Sequence, residues 1–469
     1  MQELHSSIGR RSSWAMIPLA VVLMGAAERP PLIDAARNSD REALRALLAQ
    51  GVDIKVADGD GSTALHWASY RDDRESAELL IRAGANVNAA NALGATPLWI
   101  ASENRNAAIV RSLLAAGANP NAALASGETV LMMASRSGNA DIVEQLAVKG
   151  ADVNVRATRS QTALMWAVSQ KHPDVTKVLL AHGADVHTRS ESWSQVMAVP
   201  PHVWRPYNRA IPHGGNTALL FAARVGDLES AKMLVAAGAD VNDEDAMGVS
   251  ATALAAHSGF GDLVEFLLEK GADPNTSRAG FTALHAAILR RDERSISALL
   301  VRGADPNATL RVWTPTRRSS DDFHFHPAWV GSTPLWLASR FSEATLMRLL
   351  VKHGADPLFV QKVEYRVSGG PTGTMPRAES TTTLLAALGM GSGTAFLQSP
   401  DRRQREAQAL EAVKVAVELG VDVNASNIDG RTALDAAKAL KYETVVAYLE
   451  QKGAKPGTGG QQRRPRESL

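Results

Sequence analysis

Two short phrases, GATPLWIAS at residues 94–102 and LLAAGANPN at residues 113–121, determine the fold of this chain because both return many times. The first phrase returns as GSTALHWAS at 61–69, GETVLMMAS at 127–135, GNTALLFAA at 215–223 and GFTALHAAI at 280–288. The glycine of the second phrase recurs every 33 residues, at Gly51, Gly84, Gly117, Gly150 and Gly183. Self-similarity at a fixed period of this length predicts a solenoid.

Each phrase carries the local signals of a helix. The threonine of the first phrase can cap a helix N-terminus, and Pro97 stands in the first turn, where a missing N–H is tolerated. The apolar run of the second phrase predicts another helix, and the glycine after it can adopt the left-handed conformation that ends that helix. One repeat is therefore predicted to be a helix pair that stacks on its neighbours to bury its apolar face.

With these phrases and this period, the chain resembles the ankyrin-repeat family, whose TPLHxAA and LLxxGADxN motifs it matches from about residue 31 to residue 456. The resemblance, more narrowly to exported bacterial ankyrin-repeat proteins, implies an all-α solenoid of about eleven helix-turn-helix repeats with extended finger loops. It also implies more polar first and last repeats that act as caps, and structural roles for His66 and His285 at the motif's histidine position. The repeats are predicted to begin near residues 31, 61, 94, 127, 160, 214, 247, 280, 331, 380 and 430.

The composition limits the classes of function. Lys plus Arg number 50 and Asp plus Glu number 49, so the formal net charge of +1 gives no global field for nucleic acid. The absence of cysteine excludes disulfides, thiol catalysis and cysteine-based zinc sites. The chain has no GxSxG, HExxH or P-loop motif, so we expect no enzyme, no catalytic residue, no metal and no cofactor.

The N-terminus has the pattern of an export signal. Arg10 and Arg11 precede the apolar run WAMIPLAVVL at 14–23, and small residues follow up to Ala27. We predict a signal peptide over residues 1–27, cleavage after Ala27, and a periplasmic or extracellular protein without stable membrane insertion. An uncleaved anchor is the alternative.

The period of the repeats is broken by insertions at residues 190–213, 310–330, 359–380 and 392–403. The first three fall between the second helix of one repeat and the first helix of the next. In ankyrin proteins this connection is a finger beside the concave groove, and long loops on a regular scaffold often carry function. The solenoid is predicted over residues 28–456, and residues 457–469 are expected to be a disordered tail.

Aromatic residues are concentrated in the first two insertions. They either pack onto the solenoid or form a patch for a partner, and the sequence leaves both possibilities open. The candidate finger residues are Trp193, Trp204, Tyr207, Trp313, Phe323, Phe325 and Trp329. By contrast, Trp67 and Trp166 lie within the first helix of a repeat and are expected in the core.

The stretch SDDFHFHPAW at 320–329 allows a second interpretation. His324 and His326, with Asp321 or Asp322, have the residue types of a metal site. Their alternation with phenylalanine is equally typical of a half-buried hairpin arm, which we favour.

In ankyrin repeats, the two residues after the small pair of the first helix tend to face the concave groove. The candidate groove residues are Tyr70, Arg71, Glu103, Asn104, Arg136, Arg224, His257, Arg290, Arg340 and Phe341. Five repeats place an arginine here, which favours a partner with acidic and aromatic features. The alternative is that these arginines pair with neighbouring residues of the chain itself.

The leading prediction is a non-catalytic ankyrin scaffold of the cell envelope. It is expected to be a monomer that binds another protein or a peptide through the groove and the aromatic fingers. One alternative is a structural or assembly scaffold for several envelope partners, and another is an enzyme or small-ligand receptor built in the inserted loops.

Overall fold

The computed structural model describes residues 29–197, 209–314, 325–368, 374–391 and 401–460. Predictions that lie outside these ranges concern the signal peptide 1–27, Trp204, Tyr207, Asp321, Asp322, Phe323, His324, most of the insertion 392–403 and residues 461–469 of the tail.

The described residues form 22 α-helices. They are α1 (Pro31–Arg37), α2 (Arg41–Ala49), α3 (Ala64–Tyr70), α4 (Arg74–Arg82), α5 (Pro97–Glu103), α6 (Ala107–Ala115), α7 (Val130–Ser137), α8 (Ala140–Val148), α9 (Ala163–Ser169), α10 (Pro173–Ala181), α11 (Ala218–Val225), α12 (Leu228–Ala236), α13 (Ala251–Ser258), α14 (Gly261–Glu269), α15 (Ala283–Arg290), α16 (Glu293–Val301), α17 (Pro334–Arg340), α18 (Ala344–Lys352), α19 (Thr383–Ala387), α20 (Arg402–Glu418), α21 (Ala433–Leu440) and α22 (Glu443–Gln451). Odd-numbered helices pack on one another in an inner layer, and even-numbered helices pack in an outer layer. The eleven helix pairs confirm the predicted solenoid.

The repeated phrases fold as their local chemistry predicts. The hydroxyl of Thr96 accepts a hydrogen bond from the Trp99 N–H at 3.2 Å and so caps α5. His66 Nδ1 accepts the N–H of Thr63 at 3.0 Å, and His66 Nε2 lies 3.0 Å from the carbonyl oxygen of Ala95 in the next repeat. The motif histidine therefore joins neighbouring turns, which is the structural role expected for it.

The last residue of the GADxN motif forms a second link between repeats. Asn121 Nδ2 donates to the Gly150 carbonyl at 2.9 Å, and Asn121 Oδ1 accepts the Asp152 N–H at 2.8 Å. The same pair of bonds recurs at Asn88, Asn154, Asn275, Asn307 and Asn424. Among the ten repeats that another repeat follows, three lack this asparagine and have Lys55, His187 or Leu358 in its place.

Two of these three positions precede a β-hairpin. After His187 come the antiparallel strands β1 (Ser192–Met197) and β2 (Arg209–Gly214). After Leu358 come β3 (Val360–Ser368) and β4 (Thr374–Thr382), which leads directly into α19. The hairpins occupy the first and third insertions, so strands are added to a fold that was expected to be helical throughout.

The chain folds back at its C-terminal end. Residues 458–460 form a short 3₁₀ turn, and the Gly459 N–H donates to the Gly430 carbonyl of the last finger at 3.2 Å. The start of the predicted tail is therefore packed on the last repeat. Among the helices of the described ranges, none has the length and apolar character needed to cross a membrane.

Candidate functional site

Several groove side chains are used to join one inner helix to the next. Arg71 Nε donates to the carbonyl oxygen of Arg37 at 2.7 Å, and Arg290 Nε donates to the carbonyl oxygen of His257. Asn104 Nδ2 donates to the carbonyl oxygen of Tyr70 at 2.8 Å. Because the last carbonyls of a helix have no partner within that helix, these bonds satisfy groups that would otherwise depend on water.

Arg136 lies in a mixed cluster near the middle of the groove. Its Nη1 atom is 3.5 Å from Glu128 Oε1, and its guanidinium carbon is 5.2 Å from the ring centroid of Trp166. Glu103, at the groove position of the preceding repeat, is exposed and interacts electrostatically with both charges. The sequence left open whether the groove arginines pair with residues of the chain itself, and in this repeat Arg136 does so.

Arg340 and Phe341 require a correction. Arg340 is only 6% exposed, and burial lowers the pKa of its guanidinium to about 10. Phe341 is buried and packs edge-on against Trp329, with ring centroids 5.7 Å apart. The expectation that both side chains face an open groove was wrong: Trp329 of the second insertion covers Phe341, and the guanidinium of Arg340 lies beside Gly389 just after α19.

The exposed groove residues lie further toward the N-terminus. Tyr70 is 52% exposed, and Arg71, Glu103, Arg224 and Arg290 are also exposed. Asn104, Arg136 and His257 are half-buried between them.

In the described part of the first finger, which is the insertion at 190–213, one candidate aromatic residue is exposed to solvent. Trp193 on β1 is 36% exposed. The guanidinium carbon of Arg159 is 4.0 Å from its ring centroid, and the imidazole of His213 on β2 stacks on it at 5.6 Å. Trp193 is therefore held in place but remains accessible.

Two described aromatic residues of the second insertion, Phe325 and Trp329, are buried instead. Phe325 lies 5.0 Å from the ring of Phe281, and Trp329 is 1% exposed. Two hydrogen bonds between Thr314 and Phe325 close the base of this insertion. Phe325 and Trp329, proposed above as finger residues for a partner, are corrected to core residues, whereas Trp313 is half-buried.

His326 has a local structural contact. Its Nδ1 atom accepts the N–H of Ala328 at 3.0 Å and caps the short 3₁₀ turn Pro327–Trp329. Its ring also lies 6.2 Å from that of Tyr365 on β3. These contacts favour the packed-arm interpretation of this histidine over the metal-site interpretation.

The third insertion packs on the second through a buried polar network that the sequence interpretation missed. Gln361 Nε2 on β3 donates to the carbonyl oxygens of Ala328 and Val330, both at 2.9 Å. Thr381 Oγ1 on β4 donates to Gln361 Oε1 at 3.0 Å and accepts the Trp336 Nε1–H at 3.1 Å. The period-two alternation in VQKVEYRV at 360–367 is the signal that could have indicated a strand with one buried face. We call residues 325–330 together with β3 and β4 the brace.

The sequence analysis also missed Arg37, which extends the groove to the first repeat. The guanidinium carbon of Arg37 lies 5.0 Å from the ring centroid of Trp67, as that of Arg136 lies over Trp166. In both pairs the tryptophan follows the arginine by 30 residues, a spacing that the sequence displays. Trp67 and Trp166, expected in the core, are partly buried against it, with an arginine over one face.

The side chains along the concave face are therefore cationic, polar and aromatic, and bonds to the preceding inner helix hold several of them in place. Among the described residues, no group of three His, Asp or Glu side chains is arranged to hold a metal ion.

Comparison with known protein families gives matches along most of the solenoid. A family described as ankyrin repeats (3 copies) matches residues 32–124, 117–190 and 219–309, which is more than half of the chain. A second, ankyrin repeats (many copies), matches residues 164–235, and a single ankyrin repeat matches residues 330–362.

Individual relatives share shorter segments. An ankyrin repeat and KH domain-containing protein of Caenorhabditis briggsae is 30% identical over 253 residues, which are 50% of this chain and 8% of the relative. A mitochondrial disaggregase of Bos taurus is 33% identical over 151 residues, covering 24% of this chain and 22% of the relative. An ankyrin repeat-containing protein of Treponema pallidum (strain Nichols) is 39% identical over 94 residues, covering 20% of this chain and 32% of the relative. This chain thus spans less than a third of the length of each of these relatives.

Proposed function

Because this chain belongs to the ankyrin-repeat family, we propose that it is a non-catalytic scaffold that binds another protein or a peptide through its concave face. The observation that carries the proposal is the exposed row of groove side chains from Tyr70 to Arg290 on a stack of repeats. Tyrosine, tryptophan and arginine, which dominate the energetics of protein interfaces, are all present along this row.

The bonds between repeats support this proposal energetically. Arg71 and Asn104 are tied to the preceding inner helix before any partner arrives. A surface that is ordered in advance loses little conformational entropy on association, so more of the contact energy contributes to affinity. The exposed Trp193 extends the proposed surface onto the first finger, whereas Arg340, Phe341, Phe325 and Trp329 are no longer part of it.

The proposed surface can be tested by site-specific photocrosslinking. A photoreactive amino acid at Gln170, an exposed groove position, should yield an adduct with a native partner. The same amino acid at Val148, which is exposed at the end of the outer helix α8, is the control and should yield none. Crosslinking from Val148 alone, or equally from both positions, would contradict the use of the groove. Adducts with several unrelated proteins would indicate an assembly scaffold.

We further propose that the protein is exported and acts in the cell envelope as a monomer. The support is the pattern of Arg10, Arg11 and the apolar run up to Leu23, followed by small residues. N-terminal sequencing of the native protein should find Glu28 as the first residue. A mature chain that keeps residues 1–27 would contradict the cleavage and favour an anchor.

A further inference from the structure

The N-terminal end of the groove carries an aromatic and arginine cluster formed by Arg37, Trp67, Tyr70 and Arg71. The rings of Trp67 and Tyr70 meet edge to face, with centroids 5.8 Å apart. The guanidinium of Arg37 lies 5.0 Å from the Trp67 centroid, and that of Arg71 lies 6.0 Å from the Tyr70 centroid. The four side chains form one continuous surface from the first repeat to the second.

The two arginines of this cluster differ from Arg136 and Arg291 because no described carboxylate pairs with them. Arg136 is 3.5 Å from a carboxylate oxygen of Glu128, and Arg291 is 3.0 Å from one of Glu343. Within the described part of the chain, neither Arg37 nor Arg71 lies within ion-pair distance of a carboxylate. Two positive charges therefore lie beside an exposed tyrosine without an ion-pair partner among the described residues.

The cluster is held in place by contacts that leave its charged groups accessible. Trp67 Nε1 donates to Asp58 Oδ2 at 3.2 Å, which fixes the indole under Arg37. Arg71 uses Nε to bind the Arg37 carbonyl oxygen, and this leaves its two Nη nitrogens for an external acceptor. A guanidinium held in this way can bind a carboxylate in a two-pronged geometry, and such charge-assisted bonds are the stronger ones.

We infer that the aromatic and arginine cluster binds an acidic segment of the protein partner, with carboxylates on Arg37 and Arg71 and an apolar or aromatic side chain against Tyr70. This inference rests on the proposed function and names the chemistry of the partner. The positive region is short, because the exposed residues Asp72 and Glu103 flank it. It suits a few carboxylates of a peptide and disfavours a long polyanion such as a nucleic acid.

A display experiment separates the inference from the proposed function. The immobilised full-length mature protein selects from a library of random peptides, and the enriched peptides are sequenced. We expect enrichment of Asp or Glu next to an aromatic residue. Enrichment of neutral or basic peptides would overturn the inference and keep the proposed function, whereas no enrichment would count against peptide binding itself.

A defined probe then tests the site. The probe is a fluorescent peptide Glu-Glu-Tyr-Glu-Glu, compared with its glutamine counterpart, and binding is measured by fluorescence anisotropy. We expect the acidic probe to bind more tightly, more weakly as salt is added, and roughly tenfold more weakly to Arg37→Glu and to Arg71→Glu. Equal binding of the two probes, or wild-type affinity in both variants, would overturn the inference.

Arg82→Glu is the matched control because Arg82 is an exposed arginine of the same repeat, and its Nε also donates to a backbone carbonyl oxygen, that of Glu78 at 3.3 Å. It ends the outer helix α4 and is not a groove residue. We expect Arg82→Glu to bind the acidic probe as the wild type does, and Arg71→Lys, which keeps the charge, to retain part of the affinity. Equal losses in Arg71→Glu and Arg82→Glu would assign the effect to altered folding or net charge and overturn the inference.

Discussion

The first finger and the brace contain similar types of residue, but their aromatic side chains differ in exposure to solvent. The first finger is one insertion that contains both a β-hairpin and a tryptophan, whereas the brace combines the tryptophan of the second insertion with the β-hairpin of the third. Trp193 of the finger is 36% exposed and Val196 is 69% exposed, whereas Trp329 of the brace is 1% exposed. The difference arises because the second and third insertions, which flank one repeat, pack on each other. The first insertion has no such neighbouring insertion.

The largest expected effect is a difference in stability between the two tryptophans. Trp329→Ala should destabilise the eighth and ninth repeats by about 3–5 kcal/mol, since it removes a fully buried aromatic side chain. Trp193→Ala should cost less than about 1 kcal/mol. Amide hydrogen exchange resolved by repeat measures both, because a long repeat array does not unfold in two states. Similar losses in the two variants would remove the distinction between brace and finger.

A pH effect should follow from the histidine beneath the brace. His285 is fully buried against Phe325, and burial lowers its pKa to about 4 from the ordinary value of 6.5. Between these pH values the unfolded chain binds a proton that the folded chain does not. The free energy of unfolding should therefore fall as the pH decreases from 6.5 to 4, by about 3 kcal/mol in total. In His285→Gln this part of the pH dependence should disappear, and an unchanged pH profile would contradict the assignment.

The polar network inside the brace should have the next largest effect. Gln361→Leu leaves the carbonyl oxygens of Ala328 and Val330 without their donor in a buried site, which costs about 1–3 kcal/mol. Lys362→Leu, on the opposite face of β3 and exposed, is the control and should be close to neutral. Amide exchange in the second insertion checks both variants. A loss no larger in Gln361→Leu than in the control would mean that the two insertions fold independently.

The fold was predictable from the sequence because helix caps, apolar runs and the terminating glycine act within one repeat and return in every repeat. The positions of the insertions followed from the same period. The environment that the insertions create did not follow from the period, as two arginines at the same repeat position illustrate. Arg224 is exposed, but Arg340 is 6% exposed, and its guanidinium lies beside Gly389 just after α19. This burial depends on contacts between segments distant in sequence, which a local pattern does not encode.

Part of the missing information was nevertheless present in the sequence. His187 and Leu358 replace the asparagine that bonds successive repeats elsewhere, and each stands just before a hairpin. With the asparagine absent, these repeats lack its bonds to the glycine carbonyl of the next repeat and to the backbone N–H two residues after that glycine. The replacement alone does not produce a hairpin, because Lys55 also replaces the asparagine and is followed by α3. The spacing of 30 residues from Arg37 to Trp67 and from Arg136 to Trp166 likewise marked the stacked pairs.

The smallest expected effect concerns what holds the first finger in place. The guanidinium of Arg159 is the group placed over Trp193, at 4.0 Å from the ring centroid, and a cation–π contact at an exposed site contributes about 0.5–1 kcal/mol. Arg159→Ala should therefore lower amide protection in β1 and β2 by that amount and leave the brace unchanged. Arg156→Ala, on the same turn and also exposed, should leave the hairpin as it is. If Arg156→Ala loosens the hairpin equally, the stack on Trp193 is not what holds it. The Trp193 side chain, held by so small a free energy, can turn toward a partner with little loss, whereas the buried aromatic side chains of the brace cannot.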